Sequence, residues 1–406
     1  MQFIDLCCGI GGFHQALSNM GMVCVLASDI DKECRANYML NYNINPYADI
    51  KDIDIKNIPY FDILCAGFPC QPFSKAGQQQ GFEDERGNVF FDICKIIEHH
   101  RPKYLILENV RNLSTHDGGN TWRIIQQKLD ELNYNLYNKP TILNTLYFDV
   151  PQSRERVVIL CKRKDLGTLP ILHIDKKNNS CLSDIIEEKY DQKYNITGKT
   201  LITKNVWNNF LTIINANNIV MPRFPLWTDW WDSDGNDTKV TKADKKLSEA
   251  ENKVNIEKKQ RNFYTKYKTC IDKNRKFYND NKTILSEWLI TSREIKEWVG
   301  AVRKLEWQAS NGLSMDEVLW STRGSGIRVK DITYSPTLVA MASMIPVYGP
   351  LSRHLTPREC ARLQSFPSTY ILHSNDKIAY KQLGNAVNVK MIEKSARFLI
   401  YNELFL

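Results

Sequence analysis

The first 165 residues alternate between short apolar runs and stretches with helical periodicity. Helical patterns such as Phe90–His99 and Trp122–Leu132 lie between several of these runs. Because strands that alternate with helices pair mostly in parallel, the pattern predicts an α/β domain. The runs that predict buried strands are Phe3–Leu6, Val23–Ala27, Asp62–Ala66, Tyr104–Leu107 and Val157–Cys161.

The pattern changes near residue 170. The stretch that follows is rich in Asn, Lys and aromatic residues, lacks the alternation, and includes a predicted helix over Glu287–Trp307. Compact patterning returns towards the end, where a terminal helix is predicted over Val389–Leu404. The predicted divisions are a first domain over 1–170, a second, smaller domain over 171–325 and a return segment over 326–406 that completes the first.

Composition describes a globular chain with a local charge excess. The 406 residues are 43% hydrophobic and 25% charged, which excludes disorder as the overall state. The net charge is +8, and residues 239–282 alone hold 14 basic and 6 acidic side chains, so the remainder is neutral. Such a segment favours a polyanionic partner, with nucleic acid first. A solvated helical face fits it equally well, because Ala243, Leu247, Ala250 and Val254 have helical spacing.

Neither a membrane span nor a disulfide scaffold is predicted. No apolar run approaches the length of a bilayer crossing, and the first five residues, MQFID, lack the basic stretch of a signal peptide. We therefore expect a soluble intracellular protein. The 11 cysteines are scattered and include no Cys-x-x-Cys pair, so most are expected to pack as apolar residues and no metal site is predicted.

The residues that follow the predicted strands carry the candidate chemistry, because ligands of open α/β sheets bind beyond the carboxyl ends of the strands. The turn Gly9-x-Gly11-Gly12 lets the backbone approach a ligand and opens a helix. Asp29 follows at the spacing of acids that bind ribose, which predicts an adenosine-type cofactor. The glycine spacing disfavours NAD, and a purely structural turn is the alternative.

Four further side chains at this edge are candidates for catalysis. Cys70 sits among Gly, Pro and Gln after the third strand, unlike a core cysteine, and a thiolate there could act as a nucleophile. Glu108 follows a fully apolar strand, where burial would raise its pKa towards that of a proton donor near neutral pH. A helix cap or ion-pair partner is the alternative. Arg154 and Arg156 are either surface charges or an anion clamp.

Six ordered blocks together resemble the cytosine-5 DNA methyltransferase family of the bacterial restriction-modification type. They cover residues 1–165 and about 330–406. The blocks are Phe3–Phe13, Gly67–Ser74, Glu108–Val110, Gln152–Arg156, Arg358–Pro367 and Gly384–Val387. The resemblance implies the α/β fold of S-adenosylmethionine-dependent methyltransferases, a Rossmann-like mixed sheet, with a target-recognition domain over 171–325.

The resemblance also implies roles for site residues. Cys70 would attack carbon 6 of a flipped-out cytosine, Glu108 would contact ring N3, and Arg156 would hold the base oxygen O2 with Arg154 nearby. The glycine-studded loop 75–88 would close over the base. The implied contacts with S-adenosyl-L-methionine are Asp5, Cys7, Gly9, Gly11, Gly12, Asp29, Ile30, Asp49, Ile50, Asn385 and Ala386. Family members often place aromatic residues where Cys7 and Ile30 stand.

The implied function is DNA (cytosine-5-)-methyltransferase acting on a specific duplex sequence. Double-stranded DNA is the expected partner of a cytoplasmic monomer of bacterial or viral origin, with any cognate restriction endonuclease acting separately. A tRNA cytosine-5 methyltransferase is the alternative, although the Cys-Phe-Thr signature of those relatives is absent from the sequence. A catalytically inactive relative is disfavoured because Cys70 and Glu108 are both present.

The sequence leaves the DNA-reading side chains open. Candidate stretches are Arg223–Asp234 and Ser321–Arg328, although the tryptophans of the first are expected to pack rather than read bases. Phosphate contact is favoured for some lysines of 239–282, because the segment falls in the target-recognition domain that the resemblance implies.

Overall fold

The computed structural model describes residues 1–69, 89–231, 266–292 and 300–403. Backbone contacts divide the chain into two compact units. The first unit comprises Met1–Tyr190, Thr333–Ile345 and Leu355–Leu406, and the second comprises Asp191–Ile332 and Pro346–His354. The second unit therefore begins later than the predicted boundary at 171 and includes a short additional segment.

The first unit is built on a seven-stranded mixed sheet. Its order is β2-β1-β3-β4-β8-β5, with parallel pairs from β2 to β4, antiparallel pairing of β8 with β4 and β5, and β6 paired antiparallel to β8. A separate parallel pair joins β7 to β13. The strands of this unit are β1 (Gln2–Leu6), β2 (Val23–Ser28), β3 (Ile63–Gly67), β4 (Tyr104–Val110), β5 (Tyr134–Asn135), β6 (Ile142–Asn144), β7 (Gln152–Ser153), β8 (Glu155–Arg163) and β13 (Ser335–Pro336). The predicted α/β fold with a mixed sheet is confirmed.

Apolar residues on both faces explain why these strands form the centre of the unit. Leu105, Ile106 and Leu107 of β4 are fully buried, as expected for a strand covered by helices on both sides. Because β1, β2, β3 and β4 run in parallel, their carboxyl ends lie at one edge of the sheet. The residues after these strands are therefore neighbours.

The helices pack around the sheets and begin at defined caps. Asp31 accepts the N–H groups of Glu33 and Cys34 at the start of α2, and Thr356 and Glu359 form a reciprocal capping box on α8. The helices of the described chain are α1 (Gly12–Ser18), α2 (Lys32–Tyr42), α3 (Val89–His100), α4 (Asn120–Glu131), α5 (Gly198–Ala216), α6 (266–280), α7 (Lys282–Thr291), α8 (Pro357–Leu363), α9 (Asp376–Asn385) and α10 (Val389–Tyr401). Helices α3, α4 and α10 confirm the three predictions made for those stretches. No helix in the described ranges is long and apolar enough to cross a bilayer.

The second unit is built on a six-stranded sheet of order β15-β14-β11-β12-β10-β9. Its strands are β9 (Leu226–Trp227), β10 (Lys304–Gln308), β11 (Leu319–Arg323), β12 (Gly326–Lys330), β14 (Val347–Tyr348) and β15 (Arg353–His354). Aromatic residues cluster within its core, where Trp231 packs against Phe210, Tyr278 and Trp288. Trp231 is thus a packing residue, as predicted.

The helix predicted over Glu287–Trp307 is confirmed for its first five residues and wrong at its end. Helix α7 ends at Thr291, and residues 304–308 form a strand instead. Leu305 and Trp307 are both buried whereas their neighbours are more exposed, which is the two-residue period of a strand. Tryptophan and leucine suit either element, so the sequence did not distinguish them.

Candidate active site

The turn that follows β1 brings a backbone amide against a buried carboxyl group. Gly9 has a φ of +54°, a left-handed conformation that glycine adopts without strain, and its N–H donates to Asp29 Oδ2 at 2.7 Å. The other oxygen of Asp29 accepts from the Asp31 N–H at 2.8 Å, and burial raises the pKa of Asp29. A Cβ at Gly9 would meet no atom of the described residues within 4 Å. Open backbone beside an acid at the sheet edge is what a ribose-bearing cofactor requires.

The amino end of α1 contacts the return segment closely. A Cβ at Gly12 would lie 2.4 Å from the Val387 carbonyl oxygen, so only glycine permits this approach. The Tyr42 hydroxyl donates to the Gly11 carbonyl at 3.0 Å and holds the turn from the other side. The first glycine block and the block at Gly384–Val387 are therefore neighbours, although they lie near opposite ends of the chain.

The remaining residues proposed to contact the cofactor differ in exposure. Those that are half-buried or exposed are Cys7, Asp49, Ile30 and Asn385. Those that are buried are Asp5, Ile50 and Ala386. Asp49 caps a short 3-10 turn by accepting the Lys51 N–H at 3.0 Å. Burial raises the pKa of the Cys7 thiol to about 12, so this cysteine presents a neutral thiol at the turn.

Asp5 lies beneath the turn, fully buried within β1. Its Oδ1 has no hydrogen-bond partner among the described residues, and its Oδ2 lies 3.5 Å from the Tyr38 hydroxyl. Burial raises the pKa of Asp5 well above its ordinary value, with a smaller contribution from the charge of Asp29. Direct contact between Asp5 and a cofactor stays a prediction.

A buried aromatic cluster under the glycine turn was not predicted from the sequence. His14 of α1 contacts the Tyr38 hydroxyl through Nδ1 at 2.7 Å and stacks on the Tyr42 ring at 3.8 Å. The two tyrosines are four residues apart on α2, which puts them on one helix face. That spacing was the only available signal, because His14 and its partners are distant in sequence. The cluster supports Gly11 through the Tyr42 hydroxyl.

We expect His14 to make stability fall as the pH falls from 7 to 5. Burial lowers the pKa of His14 from 6.5 to about 4, so the unfolded chain binds the proton more readily than the folded chain. The stabilisation is complete above pH 6.5 and is lost as the pH falls towards the folded-state pKa, with a loss of about 2 kcal/mol by pH 5. Urea unfolding at pH 7 and at pH 5 measures how much unfolding free energy is lost between the two pH values. In His14→Phe this loss should be about 2 kcal/mol smaller than in wild type. An equal difference in both proteins would contradict the assignment.

The candidate catalytic acid lies at the carboxyl end of β4. Glu108 is 8% exposed, and its Oε1 lies 2.9 Å from Arg156 Nε on the adjacent strand β8. Burial raises the pKa of Glu108, whereas the charges of Arg156 and Arg154 oppose that rise. Because the two strands are antiparallel, Arg156 is opposite Val110 and reaches back to the carboxyl group.

The segment that leads into Cys70 is fixed to the strand that carries Glu108. Gly67, the last residue of β3, is the register partner of Glu108, and Asn109 Nδ2 donates to the Phe68 carbonyl at 2.8 Å. Cys70 itself and the loop 75–88 lie outside the described residues. The role of Asn109 was not predicted from the sequence. The block around Glu108 indicates a site, but it does not indicate that the side-chain amide of Asn109 binds the Phe68 carbonyl.

Arg154 holds three backbone carbonyls rather than a carboxylate. Its guanidinium donates to Leu338 at 3.2 Å, to Gly384 at 3.1 Å and to Ala386 at 2.8 Å, and the side chain is 1% exposed. Burial, followed by the charge of Arg156, lowers the pKa of Arg154 to about 9. These contacts link the return segment to the end of β7 and the start of β8.

The predicted DNA-contacting stretches lie in the second unit. Residues 239–265 of the basic segment and 232–234 of the first candidate stretch lie outside the described residues. The described remainder of the basic segment includes α6, which buries Ile271, Asn274 and Tyr278. Two of its lysines form ion pairs within the helix, Lys268 with Asp272 and Lys276 with Asp280 at 2.9 Å. The stretch 321–328 falls on the β11–β12 hairpin.

Comparisons with known proteins cover nearly the whole chain. The profile of the family described as C-5 cytosine-specific DNA methylase matches residues 1–400. Type II methyltransferase M.BanI of Aneurinibacillus aneurinilyticus is 33% identical over 443 residues, which cover 100% of this chain and 96% of that protein. Type II methyltransferase M.HhaI of Haemophilus parahaemolyticus is 30% identical over 402 residues, covering 99% and 94%. A solved mutant of Spodoptera frugiperda DNMT2 has a TM-score of 0.53 at 19% identity, covering 98% and 99%, which indicates a shared fold.

Proposed function

The chain belongs to the C-5 cytosine-specific DNA methylase family, and we propose from its site how it methylates carbon 5 of cytosine in DNA. The pairing of Gly67 with Glu108 carries the proposal, because it fixes the segment entering Cys70 beside a buried acid. Asn109 supports the same arrangement by holding the Phe68 carbonyl. A nucleophile that follows this segment directly in sequence, together with an acid on the adjacent strand, suits attack on a base that has left the duplex.

The residues at the glycine turn fit S-adenosyl-L-methionine as the methyl donor. Gly9 offers open backbone, Asp29 offers a carboxyl group for ribose hydroxyls, and Asn385 is exposed beside the adjacent block. When bound, this cofactor supplies an electrophilic methyl group. Cys7, Ile30 and Asp49 are proposed to border it, and the buried Asp5, Ile50 and Ala386 to support the walls of its site.

The protein's own residues would act in sequence on the flipped cytosine. The Cys70 thiolate forms a bond to carbon 6, and the ring electrons move to carbon 5, which becomes nucleophilic. Glu108 donates a hydrogen bond or proton to ring N3 and so neutralises the charge that develops during this attack. Arg156 holds the base oxygen O2. After carbon 5 has gained its methyl group, a base removes the proton there and the Cys70–carbon 6 bond breaks.

Arg154 is proposed to act as a positioning residue in this site. It touches backbone at Gly384 and Ala386, next to the exposed Asn385, and not the carboxyl group of Glu108. Arg154 directly precedes Glu155, the first residue of β8. Its hydrogen bonds therefore connect the backbone on either side of Asn385 to the strand that carries Arg156. The chain is proposed to work as a monomer, and a restriction endonuclease of the same specificity would act separately.

DNA is favoured over tRNA as the substrate. The family is described as acting on DNA, and the relatives at 30% and 33% identity over the full chain are named Type II methyltransferases. The long second unit also suits the reading of a duplex sequence. Membership of a DNA methylase family and similarity to Type II methyltransferases together support a role in restriction-modification.

A methyl-transfer assay tests the proposed function directly. The protein is incubated with S-adenosylmethionine carrying a tritiated methyl group and either mixed-sequence duplex DNA or total tRNA. We expect label in the duplex DNA, and bisulfite sequencing of DNA from expressing cells should then locate the methylated motif. Label in tRNA alone would contradict the DNA assignment, and no label in either would favour a catalytically inactive relative.

A further inference from the structure

The sheet of the second unit has one apolar face and one charged face. Leu305, Trp307, Trp320, Ile327 and Val329 of the three central strands are all buried in the core of the unit. Because side chains alternate across a strand, the intervening residues lie on the opposite face. This opposite face, which we call the charged face, carries Lys304, Glu306, Gln308, Ser321, Arg323, Arg328 and Lys330, and it also includes the buried Leu319 beside Lys330.

Two arginines lie side by side on the charged face. Ser321 is directly opposite Arg328 in the antiparallel pairing of β11 with β12, and Arg323 lies two residues farther along β11. Glu306 is the register partner of Arg328 on its other side, with Arg328 Nε 3.1 Å from Glu306 Oε2. Cross-strand neighbours on one face are within reach of each other. Two guanidinium groups, a hydroxyl and a carboxylate are thus clustered on three adjacent strands.

Several polar atoms of this cluster have no hydrogen-bond partner within the described ranges. The Nε atoms of Arg323 and Arg328 and the Oγ of Ser321 are buried and unbonded there, and the contact between Arg328 and Glu306 lacks hydrogen-bond geometry. Ser321 is only 2% exposed. Burial and the charge of Arg328 also lower the pKa of Arg323. A ligand cannot reach these buried atoms, but the Arg328 side chain is 41% exposed and Arg323 is half-buried, so the outer ends of both guanidinium groups can meet a ligand that brings acceptors.

The cluster sits on a tight hairpin with an exposed tip. Arg323 pairs with Gly326, and Gly324 and Ser325 form the two-residue turn between them, exposed to solvent. The hairpin belongs to the six-stranded sheet, but β14 pairs only with Leu319 and Trp320, so the tip that begins at Ser321 extends past β14. A projecting hairpin tip can enter the major groove of B-DNA, which is about 12 Å wide. The charged face would therefore meet the base edges of a duplex at the depth of the groove.

The chemistry of the cluster favours base edges over phosphates. A surface that only contacts phosphate gains nothing from a carboxylate, yet Glu306 lies beside Arg328. A guanidinium can donate two parallel hydrogen bonds to O6 and N7 of guanine, whereas a carboxylate can accept from the amino group of cytosine. The two residue types together match the groove edge of a G·C pair.

We propose that Arg323 and Arg328 determine sequence specificity by reading guanine in the major groove, with Glu306 orienting Arg328. This inference rests on the proposed function, since it concerns the DNA sequence that is methylated. It narrows the earlier candidate stretch 321–328 to two side chains. It also distinguishes the two arginines from Lys330 on the same face and from the lysines of α6. Those lysines would contact phosphates, which are the same in every DNA sequence.

The test compares the methylation profiles of lysine variants. Wild-type protein, Arg323→Lys and Arg328→Lys are each incubated with duplexes in which the positions around one cytosine are randomised, and methylated products are identified by bisulfite sequencing. Lysine keeps the charge but loses the paired donors. We expect wild type to require guanine at a defined position, and each variant to lose about 10- to 100-fold of that preference. Lys273→Gln on α6 is the control and should leave the profile unchanged.

The outcomes separate this inference from the proposed function. A relaxed preference at one guanine position in each arginine variant supports it. An unchanged profile, whether the rate is reduced or normal, would overturn it, because a structural or phosphate-binding role changes the rate for all sequences alike. If wild type methylated no duplex at all, the proposed function would fail instead, and that result is obtained before any variant is made.

Discussion

Replacing Cys70 with alanine is expected to lower methyl transfer to DNA by more than about 10⁴-fold while leaving binding of duplex DNA nearly unchanged. Carbon 5 of cytosine is a poor nucleophile until a thiolate adds at carbon 6. Alanine removes the only group in the proposed mechanism that can form that bond. Binding should persist, because the contacts proposed for DNA and cofactor lie on the second unit and on the backbone around the glycine turn and do not include the Cys70 thiol.

A covalent-trapping experiment gives this prediction a second readout. Duplex DNA that carries 5-fluorocytosine at the target is incubated with the protein and S-adenosylmethionine. After methyl transfer, fluorine stands where the hydrogen that must leave carbon 5 would be, so the bond from Cys70 to carbon 6 cannot be released. Wild type should form an adduct that survives denaturing electrophoresis, and Cys70→Ala should form none. Cys181→Ala, which changes a half-buried cysteine of the first unit, is the matched control and should behave as wild type. Near-normal turnover by Cys70→Ala would refute the nucleophile assignment.

The core of the first unit could be predicted from sequence because its strands are apolar on both faces. Runs such as Tyr104–Leu107 have few alternatives to a buried strand, and parallel pairing then brings the residues after them to one edge. Glu108 and Asp29 were located in this way. Their partners could not be located, because the Arg156 contact depends on the antiparallel return of β8, which no local pattern specifies.

Contacts between distant segments account for most of what the sequence left open. Arg154 belongs to a block that suggests base contact, yet its guanidinium holds backbone carbonyls 184 to 232 residues farther along the chain. Whether a buried arginine meets a carboxylate or a carbonyl depends on which loop reaches it. In the second unit, Leu305 and Trp307 fitted a helix as well as a strand, and pairing with β12 decided between them.

Glu108→Gln is expected to lower kcat by about 10²- to 10⁴-fold with little change in the affinity for duplex DNA. Glutamine preserves the shape of the side chain and can still donate a hydrogen bond to ring N3. It cannot deliver a proton as the thiolate adds to the ring. Glu155→Gln is the matched control, because Glu155 forms an ion pair with the exposed Arg111. Glu155 is adjacent to Arg156 on β8, so its side chain lies on the opposite face of the strand from the one that meets Glu108. Near wild-type turnover in both variants would remove Glu108 from the mechanism.

The pH dependence distinguishes an acid from a residue that only supports the fold. Burial raises the pKa of Glu108, so its protonated form persists to higher pH than that of an exposed glutamate, although Arg156 limits the rise. The wild-type rate should first increase with pH as the Cys70 thiol ionises, and then decrease as Glu108 loses its proton. In Glu108→Gln the descending part of this profile should disappear while the ascending part remains. A variant that is slower but keeps the full bell-shaped profile would assign the descending part to another group and leave Glu108 as the structural partner of Arg156.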